Sequence, residues 1–328
     1  MLTWIDGSPY QLRVLEKPED MTLVEDLQRI IWPGNETDIV PGHILLTFAH
    51  SGGIVVGAYH LPEGTLNDQT LNGSPGKRLD VNQIPESQLV GFVFGFPGLI
   101  ETPDGIRVKH CSHQLGVLPG YRDKGIGFVL KRAQWQLVRN QGIDLITWTY
   151  DPLQSRNAYF NLSRLGAVCK TYLRDAYGVM RDGLNIGLAS DRFQVDWWLN
   201  SNRVNRRLSR NVREKLDLAH FLAAGAEILN PTQINNLGFP EPVEETVAQS
   251  EIESYLITDR PSIVLLEIPA KIAEIKLASM ELAHNWRMST RLYFEVLFAA
   301  GYLASDFIYL SGANPRSFYV LSDGERTL

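Results

Sequence analysis

The residues with the clearest chemical potential lie in one run, Gln114-Leu115-Gly116-Val117-Leu118-Pro119-Gly120-Tyr121-Arg122-Asp123-Lys124-Gly125-Ile126-Gly127-Phe128. A strand is expected to end at Pro119, a glycine-bearing loop follows, and a helix is expected from about Gly125. The start of a helix presents N–H groups without intrahelical partners and a partial positive charge. Glycine lets a phosphate come close to the backbone, so such a junction suits a pyrophosphate. Arg122 and Lys124 add formal charge. Spacing excludes two other phosphate loops. A Walker A loop needs lysine right after its second glycine, and here Gly120-x-x-x-x-Gly125 is followed by Ile126. A dinucleotide fingerprint needs a third glycine, and Gly125-x-Gly127 leads to Leu130 instead.

The flanking pattern supplies elements to hold this loop. Helices are expected at 18–31, with Leu23, Leu27, Ile30 and Ile31 as its apolar stripe, and at 42–49. Strands follow at 54–60, 89–96 and 107–118, with a polar stretch at 61–87 reading as a long hairpin loop. After the loop, a helix at 125–139 carries Val129, Leu130, Ala133, Gln134 and Leu137 on one face. Next come a strand at 144–150, a helix at 155–165 closed by Gly166, and strands at 167–172 and 193–199. Helices first, then a block of strands, then alternation: this order predicts an α+β (three-layer α/β) fold with a mixed central sheet flanked by helices. The Arg-rich stretch 200–225, with Arg203, Arg206, Arg207, Arg210 and Arg213, reads as a solvated helix face. Residues 226–257 read as a linker. The tail has a strand at 262–268, a helix marked by Leu282, Trp286, Thr290, Tyr293 and Leu297, and a hairpin at 303–321. In the segment Ala283-His284-Asn285-Trp286-Arg287 the polar side chains are expected at the surface. The expected organisation is therefore 1–200, 201–257 and a smaller C-terminal α+β unit at 258–328.

The pattern Arg-x-x-Gly-x-Gly, set by Arg122, Gly125 and Gly127, resembles the acyl-CoA loop of the GNAT superfamily of N-acyltransferases. The run Thr147-Trp148-Thr149-Tyr150-Asp151 is similar to that family's next strand. Residues 155–167, with Ala158 and Leu165-Gly166, are similar to its following helix. The resemblance covers roughly residues 10 to 200. More narrowly, 147–168 and 190–197 resemble a branch of bacterial acetyltransferases with a C-terminal extension. Some members of that branch pass succinyl groups to amino acids.

The resemblance implies an acyl-CoA co-substrate, acetyl-CoA or another, and no metal. The backbone of Leu115 and Val117 would face pantetheine, and the N–H groups of Arg122, Asp123, Lys124, Gly125, Ile126 and Gly127 would hold the pyrophosphate. Asn157 would contact pantetheine. The acceptor amine attacks the thioester directly, so a base and an acid are wanted. His113 and Asp151 are the candidate bases. Leu162 stands where many members have the acid tyrosine, and Ser155 where asparagine is common. Tyr159, one turn earlier, is the candidate replacement acid.

Bulk properties narrow the partners. The chain has 328 residues, 44% of them hydrophobic, enough for a substantial core, and a net charge of −6 that argues against nucleic acid or an anionic membrane surface. Its two cysteines, Cys111 and Cys169, lie in no metal-binding spacing. No apolar run reaches about eighteen residues, and no signal peptide is visible, so a cytoplasmic protein is expected. The expected acceptor is a small-molecule amine or amino acid. Shaping the acceptor pocket and making a homodimer contact are the roles open to the tail. A non-catalytic acyl-CoA-binding regulator or scaffold is the alternative.

Overall fold

A computed structural model describes residues 1–34, 36–62, 87–178, 187–209, 216–242, 252–256, 258 and 260–324. Most of the expected loop at 61–87, together with Arg210 and Arg213, lies outside them. The chain forms two compact units, residues 1–146 and 147–328.

In the first unit, five antiparallel strands pair in chain order: β1 (Leu2–Ile5), β2 (Ser8–Val14), β3 (Ile54–His60), β4 (Gln88–Thr102) and β5 (Gly105–Val117). Helices cover both faces. Gly116 backs onto Ile31 and Trp32 at the end of α1 (Pro18–Ile31), while Gly91 backs onto Ile126 and Leu130 of α3 (Ile126–Asn140). Between α1 and β3 runs α2 (Gly42–His50). Pro18 opens α1 at a position where its missing N–H costs nothing, and the Asp20 carboxylate accepts from the Lys17 N–H. The buried face of α1 is Met21, Val24, Leu27, Gln28 and Ile31, whereas Leu23 and Ile30 of the expected stripe are exposed. The 3.6-residue period selects the 21–24–27–31 line. In the same way α3 buries Ile126, Leu130, Lys131, Gln134 and Val138, a line displaced from the expected face and containing a lysine.

Strand β6 (Leu145–Tyr150) spans the numerical boundary of the units. The second unit then has α4 (Ser155–Ala158), continued by a π-helical turn at Tyr159–Arg164, then β7 (Val168–Leu173) and β8 (Arg192–Trp198). Short helices α5 (Asn202–Leu208) and α6 (Leu218–Ala223) precede β9 (Glu227–Ile228) and a two-stranded ribbon of β10 (Gln233–Ile234) and β11 (Pro240–Glu241). The chain ends with β12 (Ile263–Ile268), α7 (Ile272–Ala278), α8 (Met280–Ala299), β13 (Tyr302–Leu310) and β14 (Arg316–Asp323). The strand order in this unit is β8-β7-β13-β14-β12-β9, antiparallel except for the parallel β12–β9 pair, so the sheet is mixed.

Two stretches differ from expectation. Arg203 donates to the carbonyls of Gly166 and Ser305, and Arg207 pairs with Asp306, so this arginine run ties α5 to its neighbours. Asn230, in the expected linker, is fully buried, and its side-chain amide donates to the Glu267 carbonyl and accepts from the Glu267 N–H. Both departures are side chains satisfying buried backbone groups, which a compositional reading does not see.

Candidate functional site

The glycine loop forms as the sequence suggests. After β5, one 3-10 turn at Pro119–Tyr121 closes with the Tyr121 N–H on Leu118 O at 2.9 Å and the Arg122 N–H on Pro119 O at 3.2 Å. The chain then takes positive φ at Asp123 (64°) and at Gly125 (87°), and Gly125 caps α3. Space does not demand glycine at 125, because a Cβ there would meet only Ile5 at 3.8 Å; the left-handed φ does. Left-handed residues beside right-handed ones turn successive N–H groups into a concave anion nest. Ile126 is buried and anchors the helix start, while Arg122, Asp123 and Lys124 are exposed. Arg122 Nε donates to Val117 O at 3.2 Å and ties the loop to the end of β5. The Lys124 ammonium sits 5.1 Å from the Tyr121 ring centre.

A bulge in β5 sorts its polar residues onto two faces. Phe94 pairs with Gln114 and Gly95 with Ser112, leaving His113 as the extra residue. Its ring lies edge-on to Phe94, with centroids 5.8 Å apart, and tilted to Phe96 at 6.2 Å. Desolvation lowers its pKa from 6.5. The residue as a whole stays exposed, so this is a one-sided apolar contact rather than enclosure.

On the α3 side of the sheet, His110 and Ser112 meet Lys131 and Gln134. Lys131 Nζ donates to Ser112 Oγ at 2.8 Å and Gln134 Oε1 at 3.1 Å. Gln134 Nε2 lies 3.2 Å from His110 Nε2. An amide NH2 can only donate there, so Nε2 accepts and the proton sits on Nδ1. Burial, then Lys131, pushes His110 down to about 3, and burial holds Lys131 well below 10.5. This layer escaped the sequence reading. The signal was present in the i, i+3 spacing of Lys131 and Gln134 on an otherwise apolar helix line.

The second unit holds the remaining sequence candidates. Asp151 Oδ1 accepts from the Leu153 N–H at 2.9 Å and from Arg287 Nη2 at 2.7 Å. The carboxylate offered as a base is therefore a turn cap and an ion-pair partner. Arg287, expected on an exposed side, is fully buried. Asn157 is exposed. Tyr159 is half-buried and opens the π turn, a local distortion common at functional positions. Leu162 is 0% exposed, and Ser155 shares a 2.8 Å hydrogen bond with Ser317. Nearby, Asp191 accepts from Arg291 Nε and Nη2 at 2.8 and 2.9 Å, from Tyr172 OH at 2.6 Å and from the Asp175 N–H at 3.1 Å. Burial alone would raise Asp191, but these donors outweigh it and hold the carboxyl below its usual range. Tyr150 OH and Tyr319 OH are 3.1 Å apart, and Tyr319 donates to Pro152 O at 2.8 Å. Among the described residues no cluster of His, Cys, Asp and Glu could hold a metal, and no helix is long and apolar enough to cross a membrane.

No protein-family model matches the chain, and no curated protein matches it. Solved structures do. One is a protein of Desulfovibrio desulfuricans assigned to the GNAT family of acetyltransferases, at 17% identity and a TM-score of 0.38 over 58% of this chain and 99% of that one. Arabidopsis thaliana NAA60 with acetyl-CoA is 14% identical, with a TM-score of 0.41 over the same shares. An aminoglycoside 6'-acetyltransferase type Ii is 17% identical, with a TM-score of 0.38, again over 58% and 99%. At TM-scores below one half these likenesses carry no function with them.

Proposed function

We propose that this chain is an acyl-CoA-dependent N-acyltransferase that moves an acetyl or succinyl group to the amine of a small molecule or amino acid. One observation supports the reading: the Arg122–Gly127 loop has left-handed residues at Asp123 and Gly125 directly before a helix start at Ile126, a strand–helix junction whose N–H groups suit an anion. Its Arg-x-x-Gly-x-Gly order excludes the nucleotide loops and matches the acyl-CoA pattern.

In the reaction the acceptor ammonium first gives up a proton. The free amine attacks the thioester carbonyl and the C–N bond forms; the nitrogen then sheds its extra proton, the C–S bond breaks with its electron pair leaving on sulfur, and the thiolate takes up a proton. His113 is the residue best suited to the first proton, because its lowered pKa keeps the ring neutral at pH 7 and the residue is exposed. Asp151 acts instead as the partner of Arg287. With Leu162 buried, Tyr159 is the remaining side-chain acid, worth about two to four powers of ten in rate at most. The buried Leu162 also favours a second reading, a non-catalytic acyl-CoA-binding regulator.

The test is CoA-thiol release from acetyl-CoA and from succinyl-CoA against a panel of amino acids and small amines. Gly127→Glu is the control, since Gly125→Glu would add left-handed strain. Acceptor-dependent release, lost in the variant, is expected. CoA binding without release on any acceptor would instead support the regulator.

A further inference from the structure

A layer of aromatic rings covers one face of the β4–β5 pair. Phe92 and Phe94 are two residues apart on β4, and Gln114 stands directly across from Phe94, so all three side chains point to the same side. Helices α1 and α2 pack on that side. Trp32, just past α1, meets Phe92 edge-on with ring centres 6.1 Å apart. Phe48 of α2 lies 5.7 Å from Phe94 and stacks on Phe96 at 4.5 Å. Glycine at 116 permits this approach, since a Cβ there would stand 2.8 Å from Ile31 and 3.1 Å from Trp32. Phe92 and Phe94 are fully buried, whereas Trp32, Phe48 and Phe96 are only half-buried. The layer is closed at its centre and reaches solvent at its margin.

Two polar groups stand on this layer. His113, extruded by the bulge in β5, has its ring against Phe94 and Phe96. Gln114, the next residue, is half-buried, and its Oε1 is buried with no hydrogen-bond partner. An unmet buried oxygen costs free energy that a ligand's N–H would recover. An apolar side chain would avoid that cost, so packing against Phe94 does not explain a glutamine here. Four residues farther along β5, about 13 Å at the rise of a strand, Val117 O accepts from Arg122 of the 122–127 loop. One strand therefore joins the loop to the aromatic layer, and all of it lies within residues 1–146.

We infer that this face is the acceptor site and that it selects a primary amine carried on an aromatic or similarly broad apolar group, with Gln114 Oε1 accepting from the amine N–H beside His113. This rests on the N-acyltransferase reading and narrows its substrate class. The rings offer flat apolar area to the carrier group, and their faces attract an ammonium. The amide oxygen fixes where the nitrogen sits. Gln114 is a binding residue, and the proton transfer stays with His113.

The experiment is calorimetric titration of the full chain with three probes. They are phenethylamine, glucosamine as a polar primary amine of comparable size, and phenethyl alcohol, which keeps the ring but lacks the ammonium. Wild type should bind phenethylamine at least about tenfold tighter than glucosamine. It should bind phenethylamine at least about fivefold tighter than phenethyl alcohol, because a charged donor makes the stronger hydrogen bond. Gln114→Leu should bring the second preference to within about twofold and keep the first. Phe48→Leu should reduce the first and keep the second. If Gln114→Leu fails to fold, Gln114→Met removes the same oxygen with an unbranched side chain and should behave alike. Equal binding of all three probes by wild type overturns the proposal. So does an amine preference undiminished in the Gln114 variants, as when water alone meets the amide. Thiol release from acetyl-CoA is followed with the same two amines. Release to neither, with both binding preferences intact, refutes the N-acyltransferase reading and upholds the amine site. Release to glucosamine as readily as to phenethylamine upholds that reading and overturns the selectivity.

Discussion

The loop at 119–127 and the cluster around Arg287 handle charge in opposite ways. The loop is exposed, contiguous in sequence and built from backbone groups, with two positive-φ residues setting its shape. The cluster is buried and made of side chains far apart in the chain, Asp151 and Arg287 being separated by 136 residues. An anion at an exposed loop would still be screened by water. A buried guanidinium is stable only while its carboxylates stay in place. The first device tolerates change at most positions outside its turn, and the second tolerates very little.

The contrast predicts a large effect at Asp151. Asp151→Ala leaves Arg287 buried without its ion-pair partner and should destabilise the fold by about 3–5 kcal/mol, read by urea unfolding. A loss near that of an exposed pair, under about 1 kcal/mol, would mean that water reaches the cluster freely. Leu162→Tyr should cost less, roughly 1–3 kcal/mol from overpacking a fully buried position, and should not raise turnover. A stable variant with faster thiol release would show the acid site to be one substitution away.

The smallest effect is a shift in pH dependence. Because contact with Phe94 and Phe96 lowers His113, its neutral form persists below pH 6.5. The acid limb of kcat/KM should therefore have its midpoint below 6.5, move up toward 6.5 in Phe96→Ala, and vanish in His113→Gln. An acid limb unchanged by His113→Gln would remove His113 from the reaction.

The same contrast governs what could be read from sequence. The loop's conformation was legible because it is local: Gly125 takes a left-handed φ at a helix start, and Arg122 and Gly127 lie within a few residues of it. The helix line Leu282, Trp286, Thr290, Tyr293 and Leu297 was equally legible, since all five are buried at a helical period. Arg287 lies beside that line, and charge alone suggested an exposed face. Only the distant Asp151 makes its burial intelligible. Lys131 was missed for a related reason, because its hydrogen-bond partner Ser112 comes from another element. The bulge at His113 depends on the register of β4 against β5, which periodicity along one strand does not fix.

The central claim is that the loop holds a pyrophosphate. Equilibrium titration of CoA and of pantetheine, which lacks the phosphates, tests it most directly on wild type and Gly127→Glu. CoA should bind wild type at least about a hundredfold tighter than pantetheine, since charge-assisted hydrogen bonds each contribute about 1.5–3 kcal/mol, and the variant should level the two. Equal affinity of both for wild type, or CoA binding undiminished in Gly127→Glu, would contradict the account.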